Sequence, residues 1–542
     1  MPVLSSCLRR IALTGSLALA LPVGAAAVTP REASRFLAQA SFGPTTATIE
    51  RVASIGPASW LNEQFAKPQT MHRWYVPQQA ESGDGNNLAL NAAFWQLAAR
   101  ADDQLRQRMA YALSQIFVVS VLDDKVWMLP RGLADYHDTL ARHAFGNFRE
   151  LLKAMALHPA MGLYMSHLRN RKEDAGHMPD ENFARELLQL MSIGMEELNA
   201  DGSRKLSNGR PIASYTQADI TNLARVFTGW SWGGTDRSDA RFWGDVKDKS
   251  YDLLPMQAYA AYHSTAAKTV LGQQVGGTAE QEMDQVVNIL FMHPNTGPFI
   301  GRQLIQHLVS SNPSPAYIGR VSAAFANNGA GVRGDMRAVI RAILLDPEAR
   351  SAVAGNNAGR LREPVLRLAN WMRAFHATSA SGRFRVPPLD DTLYGLGQTP
   401  LRAPSVFGFY RPDYAPPNSG IAAAGLSAPA FQLATQTAVL GYLNFLSSLI
   451  PNGIGSGDVR SYYSQEVALA GEPEKLAAHL DLLLLNGGMT AELRKHLLAA
   501  INAVPLPLPT VSNAAEIRLR RLHRVQLAIL LAMSSPEYLV QK

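Results

Sequence analysis

Residues 177–199 hold the densest group of side chains in this chain that could carry out chemistry. Glu181 and Arg185 are four residues apart with the acid first, the order that favours an ion pair on one helix face. Glu181 and Glu186 are five residues apart, which places them roughly 140° apart around a helix. They are therefore not an acid and a base on one face. Glu181, Arg185 and Glu186 are the candidate catalytic residues.

One amphipathic helix of about four turns is predicted to position these groups. Pro179 suits the first helical position, Asp180 follows where a carboxylate faces the positive end of the helix dipole, and Gly194 is placed to end the helix. Polar side chains on two sides indicate that the helix is buried among others. Glu186 would then need a partner, because an unpaired buried carboxylate is costly. An internal ion-pair network and a catalytic or ligand-binding carboxylate are both open hypotheses.

Candidate binding residues flank this group and follow it along the chain: His177, Asn182, Asp219, Trp230 and His263. Asp219 ends a Thr-Gln-Ala-Asp sequence that is typical of a capping box, so a structural cap is favoured over catalysis. From residue 231 to 274 the helical periodicity is absent and the chain is rich in aromatic residues and glycines. This pattern indicates a long non-helical segment, called the excursion below, which could contain a small β-hairpin. His263 is its most reactive side chain, and a packed loop histidine is the alternative interpretation.

Patterns that would identify a metal or a common catalytic class are missing. His158-Pro159 and His293-Pro294 suggest a pair of ligands, but in both a histidine precedes a proline that could start a helix, so helix caps explain them. The motifs of zinc proteases, serine hydrolases and nucleotide- or dinucleotide-binding proteins do not occur. No metal site is predicted, and the need for a cofactor stays open.

The first 27 residues have the pattern of a signal peptide. Arg9 and Arg10 supply positive charge, residues 11–20 an apolar core, and residues 25–27 three alanines suited to cleavage, so the mature chain is expected to begin near Val28. General secretion is favoured and a twin-arginine route stays open. Cys7, the single cysteine, lies inside this segment. The expected location is periplasmic or secreted, without disulfides.

Composition excludes several classes of partner. The 542 residues are 47% hydrophobic and 18% charged, which is typical of a globular protein with a large core. Removal of the signal peptide lowers the formal net charge from +7 to +5, and no basic run carries interleaved aromatic residues, so nucleic acid is not an expected partner. Beyond the first 27 residues no uninterrupted apolar run approaches the ~18 residues of a membrane span, so no transmembrane anchor is predicted.

Helical periodicity through most of the chain predicts a mainly α fold, a large multi-helix globular array with long irregular loops. Residues 28–425 are predicted to form the main helical domain, with residues 426–542 as a C-terminal helical part packed on it. Between residues 378 and 419 the chain is rich in proline, glycine and aromatic residues. Its Phe-Gly-Phe-Tyr-Arg-Pro sequence at residues 407–412 is expected to pack over a surface or a pocket.

Taken in order along the chain, the following short motifs are specific: Arg35-Phe36-Leu37, Ser41-Phe42-Gly43-Pro44, Ala144-Phe145-Gly146-Asn147, His158-Pro159-Ala160-Met161, Glu181-Asn182-Phe183-Ala184-Arg185-Glu186-Leu187, Tyr215-Thr216-Gln217-Ala218-Asp219, Thr228-Gly229-Trp230, His293-Pro294, Arg362-Glu363-Pro364 and Ser535-Pro536-Glu537-Tyr538. With them the sequence resembles the bacterial family called domain of unknown function 1800. The resemblance implies a large, mostly helical, exported bacterial protein with no established reaction. It also suggests a partner, an exported protein resembling the alkaline-phosphatase and sulfatase fold.

Two functional hypotheses follow. The favoured one is an exported protein that binds or scaffolds an extracytoplasmic partner or polymer through the excursion from Trp230 to His263 and the aromatic loop near Phe407. The alternative is a carboxylate-dependent hydrolase or lyase that acts on an extracellular glycan. The enzyme hypothesis requires Glu181 or Glu186 to open into a pocket beside histidine or arginine, whereas the binding hypothesis expects both acids in buried ion pairs.

Overall fold

A computed structural model describes residues 27–76, 84–351 and 359–542, without the side chains of residues 84–87. It is 52% helical and 7% strand, which confirms the prediction of a mainly α fold. The predicted signal peptide lies outside the described residues, apart from Ala27.

Helices of one to six turns make up most of the described chain: α1 (Pro30–Ala40), α2 (Thr46–Ala66), α3 (Asp84–Arg100), α4 (Gln104–Ser114), α5 (Pro130–His143), α6 (Phe148–Ala156), α7 (Pro159–Tyr164), α8 (Asn182–Gln189), α9 (Gln217–Val226), α10 (Asp239–Trp243), α11 (Ala279–Met292), α12 (Thr296–Leu308), α13 (Pro315–Ala326), α14 (Met336–Leu344), α15 (Pro347–Arg350), α16 (Pro364–Ala374), α17 (Gly420–Ala423), α18 (Gln436–Asn452), α19 (Ser464–Leu469), α20 (Pro473–Leu480), α21 (Ala491–Asn502), α22 (Ala514–Ser534) and α23 (Pro536–Leu539).

Short strands occur only in antiparallel pairs within the described ranges: β1 (Leu206–Ser207) with β2 (Arg210–Pro211), β3 (Trp230–Ser231) with β4 (Gln257–Ala258), β5 (Lys268–Val270) with β6 (Gln273–Val275), β7 (Arg360–Leu361) with β10 (Val540–Gln541), and β8 (Thr378–Ser379) with β9 (Val459–Arg460). The β5–β6 pair confirms the hairpin expected between residues 231 and 274. Its turn, Leu271-Gly272, has positive φ at both residues (48° and 75°), as a tight hairpin turn requires.

Proline and capping side chains start many helices. His158 caps α7, because its Nδ1 accepts the Ala160 N–H at 3.2 Å and Pro159 follows at the first helical position. Thr216 and Asp219 form the predicted capping box at the start of α9. The interpretation of these residues as caps is therefore confirmed. It was wrong for His293-Pro294, because His293 follows the end of α11 and α12 begins only at Thr296.

The extent predicted for the central helix was wrong. The helix α8 begins at Asn182, three residues after Pro179, and has eight residues instead of about four turns. Asn170 binds the backbone N–H and the C=O of Asp180, at 3.0 and 3.1 Å, and so holds that residue outside the helix. The chain leaves the helix at Leu190, and Gly194 ends the following turns with φ +74° and an N–H bond to the Leu188 carbonyl.

Most buried apolar side chains of the described residues form one cluster that extends along the chain from Ala33 to Tyr538, and Leu361, Tyr410 and Ala430 form a second, small one. The last residues return to the centre: β10 pairs with β7, and the Tyr538 hydroxyl donates to the Arg367 carbonyl at 2.9 Å. The division at residues 425 and 426 stays a prediction, and it falls in the loop after α17. No helix in the described ranges is long and apolar enough to cross a membrane.

The buried C-terminal tyrosine is expected to stabilise the whole fold. Tyr538 has no exposed surface, and the Arg362 guanidinium lies over its ring at 4.4 Å. The Tyr538→Ala variant should lose about 3–5 kcal/mol, the range for large buried aromatic side chains. Tyr462, which is 67% exposed, offers a matched control, and Tyr462→Ala should change stability by less than about 0.5 kcal/mol. Urea unfolding compares the two, and equal losses would contradict this role.

Candidate functional site

Glu181 links the helices α8 and α9. Its Oε2 accepts the Arg185 Nη2 at 3.2 Å and the Gln217 amide at 2.8 Å, and its Oε1 accepts the Thr221 hydroxyl at 2.7 Å. The ion pair predicted from the four-residue spacing is therefore present. Both carboxylate oxygens are occupied, so Glu181 has the environment expected of a structural residue.

Glu186 has a different environment on the same short helix. Its side chain is 7% exposed, and Oε2 is buried without a hydrogen-bond partner. Burial raises the pKa of Glu186, and the nearby Arg185 only partly opposes this effect. Burial also raises the pKa of Tyr164 to about 12, with smaller contributions from Asp123 and Glu186. The environment of Glu186 thus disfavours the charged carboxylate relative to a glutamate in water.

Three of the predicted binding residues, His177, Asn182 and Asp219, make local contacts with the backbone. The His177 Nε2 lies 3.2 Å from the Arg171 carbonyl, and Asn182 begins α8 with its N–H bound to Asp180 Oδ1 at 2.8 Å. Besides closing the capping box, Asp219 accepts the Leu271 N–H at 2.7 Å and so attaches α9 to the β5–β6 hairpin. These contacts fix the backbone locally and join each of the three residues to a different segment.

Trp230 and His263 lie in the interior. Trp230 is buried in β3, and its indole N–H has no partner. The two ring nitrogens of His263 lie 2.9 Å from the Thr228 carbonyl and 3.1 Å from Glu282 Oε2, both of which are hydrogen-bond acceptors. Lys268 adds a bond of 2.9 Å to the other oxygen of Glu282. This buried network holds the excursion against α11, separate from the groups on α8.

A second cluster surrounds the carboxylate of Glu363, and none of its residues was a candidate catalytic or binding residue in the sequence analysis. Glu363 is fully buried at the start of α16, and Arg360 donates to its Oε1. Its Oε2 accepts the Tyr111 hydroxyl at 2.9 Å and the Gln398 amide at 3.0 Å. Charged and polar groups from α4, β7 and the loop before residue 400 therefore converge on one carboxylate.

Arg108 and His307 complete this cluster. Both Arg108 and Arg360 donate to the backbone carbonyl of His307. The His307 Nδ1 lies 3.5 Å from the Tyr410 hydroxyl. We call these seven residues the Glu363 cluster: Arg108, Tyr111, His307, Arg360, Glu363, Gln398 and Tyr410.

Burial and the two arginines determine the protonation states in the Glu363 cluster. Burial alone would raise the pKa of Glu363, but Arg360 and then His307 and Arg108 lower it to about 2. Burial lowers the pKa of His307 to about 3 and that of Arg108 to about 10. At neutral pH the cluster therefore holds two guanidinium cations, one carboxylate and a neutral imidazole.

A small cavity of about 40 Å³ adjoins the Glu363 cluster. Its wall includes His307, Arg360 and Tyr410 from the cluster, and glutamine, aromatic and small side chains supply the remainder: Gln115, Gln303, Gln306, Ser311, Phe407, Gly408, Phe409, Pro412, Pro429 and Ala430. The aromatic loop at 407–412 thus packs over a pocket, as expected from its sequence.

Sequence signals for this site exist but are individually weak. Arg108 interrupts the apolar residues of α4, and Arg360-Leu361-Arg362-Glu363 is a dense run of charge directly before a helix-starting proline. Nothing in the sequence brings these segments together, because Tyr111 and Glu363 are 252 residues apart. Among the described residues, no group of three or more His, Cys, Asp or Glu side chains is placed to hold a metal ion.

The fold and site define a class: a mainly helical protein with a charged cluster behind a cavity that an aromatic loop covers. The chain belongs to the family described as protein of unknown function (DUF1800), whose model matches residues 35–540. Comparison with curated proteins and with solved structures finds no match.

The unpaired carboxyl group of Glu186 predicts a specific pH dependence. A raised pKa means that the folded state retains a proton which the unfolded chain releases, so this group costs stability as pH rises through its folded pKa. Glu186→Gln should therefore be more stable than the wild type at neutral pH, on the order of 1 kcal/mol. The difference should shrink below the ordinary glutamate pKa of about 4.3.

Glu181→Gln is the matched control, because it alters a carboxylate whose two oxygens are bonded. It should lower stability at neutral pH. Urea unfolding between pH 4 and pH 8 measures both variants. A loss of stability in Glu186→Gln that does not depend on pH would contradict the unpaired state.

Proposed function

We propose that this protein is an exported binding protein and that the cavity beneath residues 407–412 holds its ligand. One observation carries the proposal: two members of a buried charged cluster, His307 and Arg360, form part of the cavity wall. Charged groups are rarely buried without a function or a compensating network. A volume of about 40 Å³ is below the usual range for small-molecule sites, so the cavity would enclose only one end of a ligand.

The environments of the earlier candidates support a binding site at the aromatic loop in preference to the excursion. Trp230 and His263 are buried, at 3% and 5% exposure, so a partner could not reach them without rearrangement of the surrounding chain. Phe407, in contrast, is 40% exposed and lines the cavity. Aromatic side chains that remain accessible at a pocket mouth are typical of binding surfaces.

A carboxylate-dependent hydrolase or lyase acting on an extracellular glycan is the second candidate function. Glu186 supports it, because a buried carboxyl group with a raised pKa and one unbonded oxygen is suited to donate a proton. Glu181 does not complete a catalytic pair, since both of its oxygens are bonded. Loss of glycan cleavage in Glu186→Gln, with normal ligand binding in the cavity, would favour this function.

Export and an extracytoplasmic partner are part of the proposal. The charged and apolar pattern of the first 27 residues supports cleavage near Val28, and the family resemblance supports an exported partner of the alkaline-phosphatase and sulfatase fold. Mass spectrometry of the chain recovered outside the cytoplasm should give a mature protein that begins at or near Val28. Full-length protein confined to the cytoplasm would overturn the export proposal.

Removal of one aromatic side chain from the cavity mouth tests the ligand site. The mature protein is screened against small polar molecules by thermal shift, and each hit is measured by calorimetry. Phe407→Ala should weaken binding by about tenfold, because an aromatic contact at a binding site typically contributes more than 1 kcal/mol.

Tyr394→Ala is the matched control. Tyr394 is an aromatic residue of the same proline-rich segment, is 85% exposed, and does not line the cavity. Its removal should leave affinity unchanged. Equal affinities for the wild type and both variants, with every molecule that binds, would show that the ligand site lies elsewhere.

A further inference from the structure

We propose that a second site binds an acidic oligosaccharide, a chain of sugar units that carry carboxylates, on the face formed by α3, the loop at 382–389 and the turn at 453–457. This inference goes beyond the proposed function, because it concerns a different surface and does not depend on a ligand in the small cavity. Two larger cavities, exposed aromatic side chains and exposed arginines support it.

Two neighbouring cavities on this face have room for sugar units. The first, of about 790 Å³, lies beside Trp74 and α3, and the second, of about 600 Å³, lies beside Tyr394 and the end of α18. Pro387, Gly455 and Ser456 line both, so the cavities adjoin, and we call the pair the groove. Each volume is within the usual range for small-molecule sites. Among the described lining residues, none is shared with the small cavity.

Aromatic side chains stay exposed in both parts of the groove. Trp74 is 63% and Tyr75 38% exposed in the first cavity, and Tyr394 is 85% exposed in the second. Exposed apolar surface of this kind marks a binding site. The faces of aromatic rings pack against the C–H faces of sugar rings. The amides of Gln96 and Asn444 both donate and accept hydrogen bonds, as sugar hydroxyl groups do.

Positive charge in the groove favours an acidic ligand. Arg383 and Arg385 line the first cavity and Arg460 the second, whereas no acidic side chain in the described part of the chain lines either one. The buried residues Phe384 and Val386 alternate with the first two arginines, which leaves both arginine side chains exposed. Neither forms an ion pair with a described carboxylate. A guanidinium group binds a carboxylate through two parallel hydrogen bonds.

Contacts between two loops fix these arginines before a ligand binds. Asp458 accepts the N–H groups of Ser381 and Arg385 at 2.7 and 2.9 Å and the Ser379 hydroxyl at 2.8 Å, so both of its oxygens are bonded. Gly455 packs so closely on this loop that a Cβ there would overlap the Arg385 carbonyl. A site that is already ordered loses less entropy on binding.

The acidic residues near the second cavity also have partners. Asp390 forms an ion pair with Arg402, and Asp391 accepts the N–H groups of Leu393 and Tyr394. The preference for an acidic ligand is therefore assigned to the first cavity. The aromatic residues line concave surfaces, which suits a chain of sugar units better than a membrane, whose surface contacts protruding side chains.

Calorimetry on the mature protein at constant ionic strength tests the charge, length and class of the ligand. The probes are hexagalacturonate, its methyl ester, digalacturonate, a single-stranded DNA hexamer and vesicles of anionic phospholipid. Hexagalacturonate should bind about tenfold more tightly than its ester, because the ester lacks the carboxylates that pair with arginine. It should also bind about tenfold more tightly than digalacturonate, because the longer chain reaches both cavities.

Variants of exposed residues locate the chain in the groove. The double variant Arg383→Gln with Arg385→Gln should remove most of the preference for hexagalacturonate over its ester. Trp74→Ala and Tyr394→Ala should each weaken hexagalacturonate binding by about tenfold, because each removes an aromatic contact in one cavity. All four side chains are exposed, so the variants are expected to fold.

Arg518→Gln and Phe407→Ala are the matched controls. Arg518 is an exposed arginine of α22 outside the groove, and Phe407 lines the small cavity instead. Both variants should bind hexagalacturonate as the wild type does, which separates a failure of this inference from a failure of the proposed function. The inference is overturned by absent hexagalacturonate binding, equal affinity for the ester or for digalacturonate, tighter binding of DNA or vesicles, or unchanged affinity in the groove variants.

Discussion

The carboxylate of Glu363 has no exposure to solvent, and three side chains from separate segments donate to its oxygens. Tyr111 comes from α4, Arg360 from β7, and Gln398 from the long loop before the aromatic segment. Glu363 also stands directly before α16, near the positive end of that helix. A helix, a strand and a loop therefore all donate hydrogen bonds to the Glu363 carboxylate. These bonds set the positions of the segments around the neighbouring cavity.

This dependence has an energetic consequence. A buried ion pair gains little over an apolar replacement, but removal of one partner leaves the other charge uncompensated, typically at a cost of about 3–5 kcal/mol. Glu363 and Arg360 thus constrain each other strongly, although their net contribution to stability is small. Such an arrangement defines the geometry of a site more than it stabilises a fold. The same is true of Glu282, which holds His263 and Lys268 in the interior at 3.1 and 2.9 Å.

Local interactions were predictable from the sequence, and distant ones were not. The caps at His158 and Thr216, the ion pair of Glu181 with Arg185 and the β5–β6 hairpin each depend on residues close together in the chain. The start of α8 was predicted wrongly because Asn170, ten residues before Asp180, competes for its backbone. The sequence of the aromatic loop predicted that it packs over a surface or a pocket. It did not predict which residues lie beneath the loop. The Glu363 cluster joins residues separated by up to 287 positions in its hydrogen bonds with Tyr111, and no pattern in a single sequence records that pairing.

Glu186 and Glu363 are the same residue type, both buried, and their protonation differs in direction. Glu363 has three donors and adjacent guanidinium groups, so its pKa falls to about 2 and it stays a carboxylate. Glu186 has an unbonded oxygen and weak compensation from Arg185, so its pKa rises. A permanent anion such as Glu363 can organise cations around a cavity, whereas the raised pKa of Glu186 favours proton donation. The family's short motifs contain both glutamates. Their different environments suit Glu363 to remain an anion and Glu186 to donate a proton.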